Sequence, residues 1–329
     1  SEIPGAAYEI SLQPYRAYGV DGVILFSDIL TPLPAMGVDF AISEGGAIKI
    51  SPIRTREAFK AMTDAPPFDP ATNVPFVGDV LKKLRAELDG TGATLLGFVG
   101  LPFTLGTYVV EGATGTKTGF AEMRALRADQ PDLCRDILSL LADRIAEYAI
   151  YQIDSGAQVK RTLRGAFASA PAAEGRPRPL GAQVIQVFDS WAGHLTPDEF
   201  DEWAAPYQRR VVGAIREARP DVPVIIYMAP DTHSRGGALL EKLAASGATV
   251  VSVDHTIPLA DAKARLAAAG YGHVGVQGNL DPEILSTGTD EEIVKATHDI
   301  LAQARACSGV MDCAHAEIVA RSGVAAARC

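Results

Sequence analysis

The chain has 329 residues, 47% hydrophobic and 21% charged, with a net charge of −10 and four cysteines. That composition suits one large globular domain, and the acidic balance argues against nucleic acid or an anionic membrane as partner. No apolar run reaches the roughly 18 residues of a membrane helix, and four cysteines in so long a chain are no disulfide framework, which points to a reducing compartment.

In chain order, six short runs rich in Val, Ile and Leu stand out, at 23–26, 94–99, 184–188, 222–227, 249–253 and 273–276. Runs of this kind, bounded by turn residues, predict strands buried on both faces. Between them, 80–88, 138–148, 200–215 and 238–245 carry apolar residues at helical spacing, and Pro197-Asp198 opens the third as helix starts do. Strands alternating with helices predict a parallel sheet. Nearly every strand ends in polar or small residues: Ser27-Asp28, Thr104, Asp189-Ser190, Asp231 with His233, Asp254-His255, and Asn279 with Asp281. In a barrel such ends share one mouth, whereas an open sheet gathers them at one switch point. The distribution favours a (β/α)8 TIM-type barrel that is incomplete, because six strands are two short of closure.

Residues 159–183 break the pattern, being rich in Ala, Arg, Pro and Gly without period. They predict a disordered insert in a single barrel domain spanning 1–306, and 307–329 reads as an atypical tail. The tripeptide Gly-Ala-Gln occurs at 156–158 and again at 181–183, each time followed by Val. Removing one copy joins helix to strand cleanly, as expected of a retained in-frame intron.

Four blocks resemble the uroporphyrinogen decarboxylase family. They are EISLQPYRAYGVDGVILFSDILTPLPAMG at 9–37, GFVGLPFTLGTYVVEG at 97–112, VFDSWAGHL at 187–195 and VQGNLDP at 276–282. The wording of the first is closest to plastid and cyanobacterial members. The resemblance implies a distorted (β/α)8 barrel and a homodimer, in the chloroplast stroma for a plastid-type protein and in the cytoplasm otherwise. It implies removal of the four acetate carboxyls of uroporphyrinogen III, giving coproporphyrinogen III, with a porphyrinogen as the small-molecule partner and no cofactor or metal. The family's N-terminal Arg-Gln-Ala-Gly-Arg and C-terminal Asn-Leu-Gly-His-Gly segments have no match here, so very poor turnover, or none, is expected of these 329 residues alone. An inactive remnant that binds porphyrinogen is the alternative, and so is a corrinoid-dependent methyltransferase of the same fold, although no cysteine lies in the four blocks.

The chemistry needs an electron sink. Protonating a pyrrole carbon gives a cationic azafulvenium, and a carboxylate held in a dry cleft stabilises it. By resemblance Asp28 has that catalytic and substrate-binding role, where position alone would equally suit a helix cap or turn. Tyr108 and Ser190 match substrate-binding positions; without the resemblance, packing or capping is the better reading. Asp189 reads as a turn residue, His194 and His255 as structural histidines, and Arg54 as a surface arginine. The Gly115–Lys117 stretch lacks the spacing of a phosphate loop, Cys307, Cys313 and His315 match no zinc pattern, and the basic cluster around Arg161 and Arg176 reads as a solvated loop.

Overall fold

The computed structural model describes residues 4–43, 46–114, 119–155, 182–229, 234 and 237–306. Eight strands run through it: β1 (Gly22–Ile24), β2 (Phe40–Ile42), β3 (Ile48–Ile50), β4 (Thr94–Gly100), β5 (Val184–Phe188), β6 (Val224–Tyr227), β7 (Val250–Ser252) and β8 (Gly275–Gln277). All six predicted runs are strands, and they form one parallel sheet in the order β1-β4-β5-β6-β7-β8. The order never reverses. Right-handed crossovers therefore add each strand on the same side and put every connecting helix on one face. This is the winding of a barrel wall and not of a doubly wound sheet. The sheet is curled and partly closed, six consecutive members of a (β/α)8-type barrel, with β1 and β8 at its edges among the described residues.

The helices are α1 (Pro4–Tyr18), α2 (Arg56–Thr63), α3 (Pro70–Asn73), α4 (Pro75–Glu87), α5 (Pro102–Glu111), α6 (Ala121–Asp129), α7 (Pro131–Asp154), α8 (Pro197–Trp203), α9 (Ala205–Ala218), α10 (Leu240–Ala244), α11 (Leu259–Ala268), α12 (Pro282–Thr287) and α13 (Asp290–Ala306). The pattern at 200–215 predicted one helix, but the chain forms two with a break at Ala204. Pro206 is the cause: it has no N–H to donate, and its ring collides with the carbonyl of the preceding turn. The start of α8 is a full capping box. Thr196 Oγ1 accepts from the Glu199 N–H at 3.3 Å, and Glu199 accepts from the Thr196 N–H at 3.0 Å.

Strand residues alternate between two faces. Val23, Leu25, Leu95, Val99, Ile185, Val187, Val224, Ile226, Val251 and Val253 point outward into one continuous core shared with the helices, which runs from Ala7 to Ala304. Leu96, Val184, Ile225 and Val250 point inward and form a small separate cluster. The antiparallel pair β2–β3 was not predicted. Its strands are three residues long and mostly exposed, so they leave no apolar run to read.

The sheet carries one gap. β1 pairs with β4 only as far as the Leu25 N–H to Leu96 carbonyl bond of 3.0 Å. Beyond it Gln152, wholly buried on α7, takes β1's place: its Oε1 accepts from the Phe98 N–H at 3.0 Å and its Nε2 donates to the Phe98 carbonyl at 2.9 Å. Gly97 permits this, because a Cβ there would lie 2.5 Å from Gln152 Oε1.

Most of the predicted insert and all of 307–329 lie outside the described residues. The chain ends that flank the insert lie together, since the Ala182 N–H donates to the Gln152 carbonyl at 3.0 Å. Deleting one 25-residue repeat unit, 181 − 156, is therefore expected to leave the melting temperature unchanged or higher; a loss of cooperative unfolding by calorimetry would contradict this.

Candidate active site

The inward residues rise from apolar to polar along the strands. Above the Leu96–Val250 layer sit Phe98, Phe188 and Tyr227, edge to face at 5.8 and 5.7 Å between centroids. On the neighbouring edge strand Ile24 and Phe26 share the inward parity and are each 43% exposed. The result is an aromatic floor open to a ligand. The predicted strands concealed it, because inward and outward residues are both apolar there. Counting parity from Leu96, Val184 and Ile225 would have found it.

The rim above this floor carries the predicted residues. Asp28 follows β1 and is exposed, and its Oδ1 accepts from the Leu30 N–H at 2.8 Å, closing a local turn. Phe26, just before it, is fixed by α1: its N–H donates to Ser11 Oγ at 2.8 Å. Tyr108, half-buried on α5, packs edge-on against Trp191 at 6.0 Å. Burial pushes its phenol pKa up against a downward pull from Trp191, and the Asp28 carboxylate adds a lesser upward push. Tyr108 therefore keeps its proton at neutral pH and can donate it in a hydrogen bond. Ser190 opens the short 3-10 turn Ser190–His194 directly after β5. Tyr108 thus packs against Trp191, the residue that follows Ser190, and Asp28 lies within electrostatic range of Tyr108.

Phe120 completes this wall. It is the one described non-glycine residue with positive φ, 60°, and its ring meets Trp191 at 5.0 Å and His194 at 4.7 Å. A bulky side chain in that conformation costs on the order of 1–3 kcal/mol and persists only where its surroundings hold it. His194 belongs to this aromatic cluster, in keeping with a structural histidine. His255 Nε2 lies 4.0 Å from Asp281 Oδ1, linking the end of β7 to the start of α12. Asn279 Nδ2 ties the same loop by donating to the Asp254 carbonyl at 2.8 Å. Asp254 has the inward parity of Val250 and raises the pKa of Tyr227, whose larger cause is burial.

Arg54 does not serve the mouth as a free cation. Its Nε and Nη2 donate to the Val110 and Glu111 carbonyls at 2.8 and 3.1 Å, capping the C-terminus of α5. Cys134 is buried in the helical layer, where desolvation drives its thiol up to about 12. Among the described residues no group of three His, Cys, Asp or Glu side chains could hold a metal, and no helix is long and apolar enough to cross a membrane. Gly115–Lys117, Asp231, His233, Cys307, Cys313, His315, Arg161 and Arg176 lie outside the described residues.

Asp189 heads the Ser190–His194 turn, as its position suggested, its carbonyl accepting from the Ala192 N–H at 3.0 Å, but its side chain does more. It is wholly buried, and desolvation raises its pKa from 3.8 to about 6 against the pull of hydrogen bonds from Gln208 and Thr104. The folded state then binds this proton more tightly than the unfolded chain. Its contribution favours folding below pH 3.8 and is lost as pH rises through about 6. Asp189→Asn removes that dependence. The variant's melting temperature relative to the parent is expected to be higher at pH 7.5 than at pH 5, and a difference that is flat or falls with pH would contradict the burial cost.

Three comparisons bear on this site. The family model described as uroporphyrinogen decarboxylase (URO-D) matches residues 1–162 and 179–316, passing over the middle of the predicted insert. Curated proteins named uroporphyrinogen decarboxylase from Synechococcus sp. (strain CC9902) and Prochlorococcus marinus (strain MIT 9303) are each 42% identical over 316 residues, which is 96% of this chain and 78% of theirs. In fold, the chain is similar to a methyltransferase from Methanosarcina mazei, with a TM-score of 0.68 over 99% of this chain and 85% of that one. At 15% identity that likeness speaks for the barrel architecture alone.

Proposed function

The chain belongs to the uroporphyrinogen decarboxylase family, and from that premise we propose that its mouth decarboxylates the acetate side chains of uroporphyrinogen III, with Asp28 as the catalytic carboxylate. The observation that carries the reading is Asp28 itself, an exposed carboxylate just after β1, whose Ile24 and the following Phe26 border the aromatic floor. A porphyrinogen fits both parts. Its faces are apolar and suit Phe26, Phe98, Phe188 and Tyr227, and its inward pyrrole N–H groups are donors that one carboxylate can gather.

The reaction proceeds from that placement. A proton adds to the pyrrole α-carbon next to the carbon that bears the acetate arm, and the ring becomes a cation conjugated with that arm, so that the pair released on decarboxylation forms an exocyclic double bond. Asp28 lowers the energy of this charge where the macrocycle has displaced water. The bond from the methylene to the carboxylate breaks, its electron pair neutralises the ring, and carbon dioxide leaves. Protonation of the exocyclic carbon and loss of the added ring proton give the methyl group. Tyr108, protonated, and Ser190 donate hydrogen bonds to side-chain carboxylates and orient the arm that reacts. The ring is the electron sink, so the chemistry calls on no cofactor.

The test is anaerobic, reducing incubation of the complete gene product with uroporphyrinogen III, followed by chromatography of the oxidised porphyrins. Stepwise loss of four carboxylates down to coproporphyrin supports the reading, and no loss of carboxylate sinks it. The homodimer is part of the same proposal, checked by sedimentation. The cyanobacterial relatives favour a cytoplasmic setting over a plastid one.

A further inference from the structure

Three elements meet at one buried carboxylate. Asp189 Oδ1 accepts from the Thr104 N–H at 3.0 Å and from the Thr104 hydroxyl at 2.9 Å, while Oδ2 accepts from Gln208 Nε2 at 2.8 Å. Thr104 Oγ1 in turn accepts from the Trp191 N–H at 3.1 Å. The Asp189 N–H donates to the Tyr227 carbonyl at 2.8 Å, which fixes the carboxylate to the sheet. One side chain thereby joins the end of β5, the first turn of α5 and the first turn of α9. Tyr108 lies four residues after Thr104, on the same face of α5, and Ser190 and Trp191 follow Asp189 directly.

We propose that Asp189 is the positioning residue of this mouth: its carboxylate locks the first turn of α5 to the Ser190–His194 turn, so that Tyr108 and Ser190 are presented to substrate at a fixed spacing. The inference rests on the reading of those two residues as substrate contacts. The geometry it needs is acceptance of hydrogen bonds, not negative charge, because all three donors are neutral. Asparagine should therefore replace it. Asn Oδ1 would keep both Thr104 bonds, and the Gln208 amide would rotate to offer Oε1, which is buried without a hydrogen-bond partner, to the new Nδ2.

The chain has two tryptophans, Trp191 and Trp203, so a Trp203→Phe background makes Trp191 the sole indole reporter. In that background Asp189→Leu is expected to red-shift Trp191 emission and to weaken binding of coproporphyrin III, read as emission quenching, by at least about tenfold. Asp189→Asn should keep the parental emission and bind within about threefold of it. Thr104→Val removes the relay to Trp191 with little change of volume and should shift emission as leucine does, which keeps the test decisive if the leucine variant fails to fold. A purely structural role would lower the melting temperature of Asp189→Leu and Thr104→Val but leave emission and affinity of the folded protein at parental values; that result overturns the proposal. Emission shifts in a parent that neither binds coproporphyrin nor decarboxylates uroporphyrinogen would instead overturn the functional reading and leave the locking role in place.

Discussion

Asp28→Asn is expected to slow decarboxylation of uroporphyrinogen by about 10²–10³-fold or more, the scale at which removing one preorganised charge from a developing ion is felt. The fold should stand. The asparagine oxygen can still accept from the Leu30 N–H, the one side-chain bond that Asp28 makes among the described contacts, and the residue is exposed. Only the negative charge is lost. Asp28→Glu keeps the charge at a longer reach and should retain part of the activity. The comparison is of kcat at saturating substrate, with circular dichroism to confirm folding. Near-parental turnover by Asp28→Asn would remove Asp28 from the mechanism and leave its turn as its only role.

The second large effect concerns stability. Gln152→Leu keeps the volume of the side chain but leaves the Phe98 N–H and carbonyl without partners in the gap between β1 and β4. An unpaired buried backbone group costs about 1–3 kcal/mol, so the two together predict a loss of roughly 2–6 kcal/mol. Because Phe98 belongs to the aromatic floor, porphyrin affinity should fall as well. Denaturation in urea measures the first effect. A loss below about 1 kcal/mol would mean that water or a shifted β1 takes up the freed groups.

These two residues mark what was legible in the sequence and what was not. The six strands could be read because each leaves an uninterrupted apolar run, the central four being buried on both faces, and the polar residues at their ends follow from the same topology. Asp28, Tyr108 and Ser190 were singled out through blocks of resemblance, since an aspartate in a turn carries no mark of catalysis by itself. Gln152 and Phe98 are 54 positions apart, and nothing local in a 24-residue helix announces that one glutamine will stand in for a strand. The side-chain role of Asp189 was hidden for a related reason. Its three donors come from 19 and 85 residues away, so its burial is a property of the assembled barrel. The aromatic floor could have been read from strand parity, but only after the faces of the strands had been told apart.

The most direct test of the whole account is a crystal structure of the protein with coproporphyrinogen III or its oxidised form bound. The macrocycle is expected to lie against Phe26, Phe98, Phe188 and Tyr227, with its pyrrole nitrogens toward Asp28 and its side-chain carboxylates within hydrogen-bond reach of Tyr108 and Ser190. A ring bound on the outer, helical face of the sheet, or in the mouth with Asp28 turned away from the pyrrole nitrogens, would contradict it.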